Sequence, residues 1–410
     1  MSENTLLDDT SVHAHVGMIC FKTGPPHHVG IELEWLLSSI AHPDQHLSPN
    51  TLDDVIRDLA PLPGGSRITL EPGGQLELSS PVADDLSRCW RDLERDTGRL
   101  DQILAQHGLT ALPVALDPVR PARRLLRTPR YDAMQDYFDR RGEAGLTMMT
   151  GTAAVQINLD AGADASDVAQ RWSLLHAVGP ALVASFANSP MHRGRVTGWK
   201  STRQRVVATM DPTRASAPRG PDPVTAWTEY ALEAPVMMCR RHGDWLASPG
   251  FTFREWIAGV AGFGAPTEDD LAYHLTTLFP PVRPRGWLEV RYVDAQPRSW
   301  WPVPPTVLSA LVADPIAAET VREATSAVPT SWEVAARDGL SDPALRRVAV
   351  RCFEAAVSAL PRLGVEPTLI ALVTDYLERF VARGRCPADE FLDHLSGAPV
   401  RRILSAAEHA

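Results

Sequence analysis

Several short stretches of the chain alternate strictly between apolar and polar residues, the two-residue period of a strand with one buried face. In Val29–Trp35, the side chains of Val29, Ile31, Leu33 and Trp35 share one side and leave Gly30, Glu32 and Glu34 on the other. Ile68 and Leu70 alternate with Arg67, Thr69 and Glu71. After Pro72, Gly73 and Gly74, Leu76 and Leu78 alternate with Gln75, Glu77 and Ser79, which reads as a hairpin with acids on its polar face. Val155, Ile157 and Leu159 oppose Gln156, Asn158 and Asp160, and Leu288, Val290 and Tyr292 oppose Glu289 and Arg291. Helical periodicity over residues 84–107, 166–187 and 225–239 predicts helices that cover the apolar side of this sheet. Residues 208–224, with Pro212, Pro218, Pro221 and Pro223, read as a long loop. Beyond Pro305 the strand signals stop and Ala- and Leu-rich helical patterns continue. The expected class is α+β: a mostly antiparallel sheet with helices on its outer face over residues 1–305, and a helical part over 306–410 packed on the same domain.

Composition narrows this picture. With 410 residues, 44% hydrophobic and 22% charged, the chain has the make-up of a soluble globular protein. Its best apolar run, residues 181–187, falls far short of the roughly 20 residues a spanning helix needs, so no membrane role is expected. Residues 1–10 carry acids and none of the regions of a secretory signal, which points to the cytoplasm. The five cysteines are scattered without a CxxC pair and argue against a disulfide framework or a thiolate zinc site. A net charge of -10 disfavours nucleic acid as a partner. Two basic segments, 119–130 and 191–205, run against that charge.

Glutamate is depleted in strands, so Glu32, Glu34, Glu71, Glu77 and Glu289 on polar faces ask for a reason. One reading is a solvated sheet face. The other is a site for hard divalent cations, since a face that gathers carboxylates repels itself unless cations sit among them. Mg2+ commonly bridges a few carboxylates to substrate phosphates, so the acidic face also predicts a nucleoside triphosphate. Gly194 to Ser201 imitates a phosphate-binding loop but fails, because Trp199 separates Gly198 from Lys200 and the segment follows a helix. Phosphates would then be held by metal and by basic side chains, for which Arg193, Arg195, Lys200, Arg203, Arg205 and Arg214 are candidates. Trp199 is the only aromatic among them, which disfavours an RNA patch. The segment 120–130 reads as solvated surface, and His27 and His28, preceding what reads as an edge strand, as solvated or capping residues.

At this point the residues resemble a known family, the glutamate-cysteine ligases, in the branch shared by plants and many bacteria. The resemblance is carried by VGIELEW (Val29–Trp35), ITLEPGGQLELSS from Ile68, MMTGTAAVQINLD from Met148, ASFANSP from Ala184, FTFREWIA from Phe251 and YHLTTLFPPVRPRGWLEVRY from Tyr273. Within that branch the chain is similar to the actinobacterial enzymes of ergothioneine biosynthesis. The resemblance implies a sheet bent into a funnel, as in glutamine synthetase, with ATP and Mg2+ inside. It carries over Glu32, Glu34, Glu71, Glu77 and Glu289 as Mg2+ ligands, with Gln156 on the strand where distant relatives use histidine. Arg291 is implied as partner of the glutamate α-carboxylate, and Arg203, Arg205 and Arg214 as ATP-binding candidates, which Lys200 of the basic cluster joins. The implied substrates are L-glutamate, L-cysteine and ATP, handled by a monomer, with Glu34, Glu289 and Arg291 central to catalysis. A ligase of the same fold with another amine, or a non-catalytic nucleotide- or metal-binding relative, are the competing readings.

Overall fold

The computed structural model describes residues 7–25, 28–241, 244–328 and 331–397. His27, much of the acidic N-terminal stretch and the end of the helical C-terminal part lie outside the described residues. Six strands form the main sheet: β1 (Val29–Trp35), β2 (Arg67–Leu70), β3 (Leu76–Ser79), β4 (Ala154–Asp160), β5 (Val282–Pro284) and β6 (Trp287–Asp294). Their order is β5-β6-β4-β1-β3-β2, every pair antiparallel. β1 is therefore interior, not the expected edge strand. β5 escaped the sequence reading because Pro281 and Pro284 frame it, and proline in a strand signals an edge, which β5 is.

The register fixes which side chains share a face. Glu32 lies opposite Gln156 on one side and Ser79 on the other, Glu34 opposite Glu77, Thr69 opposite Glu77, and Glu289 between Asn158 and Arg283. With a side-chain period of two, all of these project from one face. The opposite face carries Ile31, Leu33, Leu78, Ile157, Val290 and Val293, each at most 2% exposed.

Helices around the sheet and its cavity include α1 (Asp9–Cys20), α2 (Leu86–Gln106), α3 (Ala144–Gly151), α4 (Ala165–Phe186), α5 (Thr202–Met210), α6 (Trp332–Asp338), α7 (Pro343–Ala359) and α8 (Pro387–Gly397). α2 and α4 cover the apolar face, near where periodicity put them. The Tyr292 hydroxyl donates to the Leu175 carbonyl of α4 at 3.2 Å, so the sheet and α4 are tied at a buried point. The helices after residue 300 continue this same core: Phe186 of α4 lies 5.7 Å from Phe353 of α7 and 5.3 Å from Tyr376, whose hydroxyl donates to the Ser185 carbonyl. Burying each such aromatic or aliphatic side chain contributes roughly 1.5–3 kcal/mol.

Two segments depart from expectation. The stretch read as a loop from residue 208 is helical through Met210 and again over Pro212–Ala215, because Asp211 accepts from the Thr213 amide and Pro212 suits a first helical position. The helix expected to reach Cys239 stops at Glu233. Ala234 precedes Pro235 and takes an extended conformation, as residues before proline do, and Met238–Arg241 then forms a strand.

Candidate functional site

The polar face of the sheet forms the floor of a cavity of about 1020 Å³. Glu32, Glu34, Glu71, Glu77, Gln156, Arg203, Arg205, Glu289 and Arg291 all line it. Strand parity brought most of them together, and the hairpin turn brings Glu71. In that turn the Gly74 amide donates to the Glu71 carbonyl at 2.8 Å, and Gly74 has φ +85, which favours glycine. Gly73 is needed for a different reason: a Cβ there would stand 2.1 Å from the Thr150 carbonyl oxygen of α3. Gln75 completes the seam, its Nε2 donating to the Thr152 carbonyl at 2.9 Å.

The acids fall into two electrostatic groups. Glu289 is fully buried and enclosed by guanidinium groups: Arg283 reaches it with Nε at 2.6 Å and Nη2 at 3.1 Å, Arg285 with Nη1 at 3.2 Å, and Arg291 with Nη1 at 2.9 Å. Burial alone would raise its pKa, but Arg283, Arg291 and Arg285 reverse that and hold the carboxyl well below its usual range. Glu32, Glu34 and Glu71 lack such compensation. Glu34 is raised to about 8 by burial and by Glu71 and Glu77; Glu32 to about 7 by burial, Glu289 and Glu77; Glu71 to about 7 by burial and Glu77.

A chain of hydrogen bonds links the groups. Glu34 accepts from the Ala154 amide at 2.9 Å and from Gln156 Nε2 at 2.6 Å, and Gln156 Oε1 accepts from Arg291 Nη1 at 2.5 Å. Gln156 therefore stands between the acid and the guanidinium, with its amide orientation set by both. Glu32 accepts from Asn158, whose Oδ1 accepts from the Trp287 indole, and Glu77 accepts from Thr69 and Ser79.

Does this donor set fit Mg2+? Among the described residues no three His, Cys, Asp or Glu side chains close around one point. The acids instead line a wall, and carboxylates with raised pKa values in one cavity are the chemistry that a hard cation relieves. Mg2+ usually retains waters and takes one or two carboxylates together with substrate phosphates, so a wall of acids suits it. Glu32, Glu34, Glu71 and Glu77 would hold it, while Glu289 is already neutralised by arginine.

Two expected ATP-binding residues are placed elsewhere. Arg214 is 0% exposed and directs all five donors into the protein: to Asp211 Oδ2, Thr277 O and Oγ1, the Tyr137 hydroxyl and the Pro235 carbonyl. It is a structural clamp. Lys200 pairs with Asp389 of α8 at 2.5 Å and does not line the cavity, because the backbone around it docks on α6 through Ser201 N to Ala336 O. In the other direction, segment 120–130 is not simply solvated. Arg120 is buried against Asp117 and the Leu37 carbonyl, and Arg130 lines the cavity while donating to Thr276. Arg67, Arg283 and Arg285 also line it without having been singled out; the alternation of Val282, Arg283, Pro284 and Arg285 was the available signal. His28 lies outside the cavity between Asp84 and Asp160. All five cysteines are buried, and none is joined in a disulfide. Among the described residues no helix is long and apolar enough to cross a membrane.

The fold is one shared with solved ligases. It matches the glutamate–cysteine ligase of Francisella tularensis, solved with AMP, at a TM-score of 0.61 and 10% identity over 94% of this chain and 88% of that one. A bifunctional glutathione synthetase from Pasteurella multocida matches at 0.56 and 15% identity, over 93% of this chain and 52% of that longer one. The chain belongs to glutamate-cysteine ligase family 2, whose profile matches residues 28–406. It is 43% identical over 401 residues to the glutamate–cysteine ligase EgtA of Mycolicibacterium smegmatis, covering 96% of this chain and 92% of that protein. Identity to EgtA of Mycobacterium tuberculosis is 39% (98% and 94% covered), and to the chloroplastic glutamate–cysteine ligase of Brassica juncea 29% (82% and 68%).

Proposed function

We propose that this protein is an ATP-dependent glutamate–cysteine ligase that joins the γ-carboxylate of L-glutamate to the amine of L-cysteine, at the entry to ergothioneine biosynthesis. The observation that carries the reading is one cavity in which under-compensated acids face an arginine-rich wall, in a member of this family. A carboxylate is a poor electrophile. Transfer of the ATP γ-phosphate to the glutamate side chain makes an acyl phosphate, and the cysteine amine then attacks the acyl carbon, forming the amide while phosphate leaves. Arg291 holds the substrate α-carboxylate, with its fork oriented by Gln156 and Glu289. Arg205, beside the Trp199 ring, faces the phosphates from the rim. Glu32, Glu34, Glu71 and Glu77 are the Mg2+ side of the cavity, and Glu289 keeps the arginines in place. When bound there, Mg2+ supplies neutralisation of charge on the transferring phosphoryl group.

The sheet is read as the funnel that encloses these groups. Residues 1–305 are the catalytic part and 306–410 a helical part of the same domain, which the shared core around Phe186, Phe353 and Tyr376 supports. A cytoplasmic monomer is the corresponding reading for the whole protein. ADP release measured with glutamate against a panel of amines tests the substrate assignment. Release should require cysteine; release with another amine and none with cysteine, above a glutamate-only background, would overturn it.

A further inference from the structure

Strand β4 pairs Ile157 with Val290 and Val155 with Val293, so Arg291 and Tyr292 together face Gln156. This is a β-bulge, which bends a strand and re-aims its side chains. A bulge leaves backbone groups without regular ladder partners, and here the first turn of α5 takes two of them. Arg203 Nη2 donates to the Arg291 carbonyl at 3.0 Å and Gln204 Nε2 donates to the Tyr292 carbonyl at 2.8 Å.

The turn that supplies those donors is itself anchored by Asp294, which the bulge returns to the polar side opposite Ala154. Asp294 Oδ1 accepts from Ser201 Oγ, the N-cap of α5, at 2.9 Å and faces Arg203 Nη1 at 3.5 Å. Its Oδ2 accepts from the Asn188 amide at 2.9 Å and from Ser189 Oγ at 2.8 Å, and Ser189 Oγ accepts from the Arg203 amide at 3.1 Å. Asp294, Ser189 and Ser201 are each at most 2% exposed.

We infer that Asp294, Arg203 and Gln204 form a brace that holds the bulge and thereby fixes the direction in which Arg291 enters the cavity. They are positioning residues for substrate binding, and Arg203 acts chiefly through this backbone contact. The inference rests on the reading of Arg291 as partner of the glutamate α-carboxylate. Loss of the Gln204 contact lets that guanidinium drift from Gln156 and from the substrate, while α5, still anchored by Asp294, keeps Arg205 on the phosphate side of the cavity.

The test uses Gln204→Leu and Asp294→Asn in the full chain, with Arg291→Lys alongside. Steady-state kinetics should show the KM for glutamate raised about tenfold or more in the first two variants, against an ATP KM within about twofold in Gln204→Leu, which leaves the anchor of α5 intact, since small misplacements of a positioning group are costly. Thermal melting identifies any variant that has lost its fold, and Gln204→Leu, which deletes one amide near the surface of the cavity, keeps the test alive if Asp294→Asn does not fold. Equal changes in both KM values in Gln204→Leu, or a fall in kcat alone, overturn the brace. An effect in Arg291→Lys with none in the other two overturns the brace and leaves the role of Arg291 standing. No change in the glutamate KM of Arg291→Lys removes that role, and the inference with it.

Discussion

Replacement of Glu34 by glutamine separates its charge from its shape. Both carboxylate oxygens accept hydrogen bonds, from the Ala154 amide and from Gln156 Nε2, so the amide must turn its NH2 toward one of two donors and lose that bond, at about 1–3 kcal/mol. Against this loss, the substitution removes a charge that the metal-free cavity resists. The folded carboxyl is raised from 4.5 to about 8, which means that the folded state binds this proton more tightly than the unfolded chain. Its stabilisation is full below 4.5 and is lost as pH rises through about 8. At about 1.4 kcal/mol per pH unit the ceiling is near 5 kcal/mol, and about 1–2 kcal/mol is expected between pH 6 and 8.5, because the repulsion is shared with Glu71 and Glu77 and water enters the cavity. Thermal melts in metal-free buffer should therefore show wild-type stability falling over that range, with a shallower fall in Glu34→Gln. The variant should also lose glutamate- and cysteine-dependent ADP release. Parallel pH profiles would refute the electrostatic reasoning, and normal turnover would refute the metal-ligand role.

Chelation of divalent cations should abolish ADP release and added Mg2+ restore it, and Mg2+ at about 100 times its Kd should stabilise the folded protein by about 2.7 kcal/mol; turnover that persists in chelator contradicts this. Arg214→Met takes from the buried Asp211 its closest guanidinium and from the Pro235 and Thr277 carbonyls their donor, and should cost about 3–5 kcal/mol in denaturant unfolding, while protein that remains folded keeps its ATP KM. An ATP KM that rises with stability intact would return Arg214 to the phosphate site. Gly73→Ala forces its methyl group onto the Thr150 carbonyl and should destabilise by about 1–3 kcal/mol or more, read from the melting temperature; an unchanged value would mean that the hairpin and α3 are not in contact.

Alternation made the floor of the site legible. Wherever one face of a strand is buried, parity alone decides which residues face the cavity, and Glu32, Glu34, Glu77, Gln156 and Glu289 follow from it. The bulge was also written in the chain, as the adjacent apolar pair Tyr292 and Val293 that breaks the pattern, but a single irregularity at a strand end is easily passed over. Loop arginines were less legible because a guanidinium serves a phosphate or a buried carboxylate equally well. Arg205 and Arg214 are alike as candidates, yet only Asp211, Tyr137 and Thr277, distant in sequence or unremarked, decide that Arg214 turns inward. The reverse error hid Arg283 and Arg285 between prolines. Partner identity, not residue type, separates these cases.

Helix α1 lies ahead of the span that the family profile matches, and yet it is part of the cavity wall. His15, Ile19 and Cys20 line the cavity, and the Cys20 carbonyl accepts from the Gly286 amide in the turn between β5 and β6. That turn carries Arg285 and joins the strand of Arg283 to that of Glu289. A chain trimmed to the matched residues would keep every acid and arginine of the site but would leave this turn without its tether and remove the buried Val12 and Val16 from the core. The working boundary of the enzyme is thus set by packing and comes earlier than the boundary that sequence similarity draws.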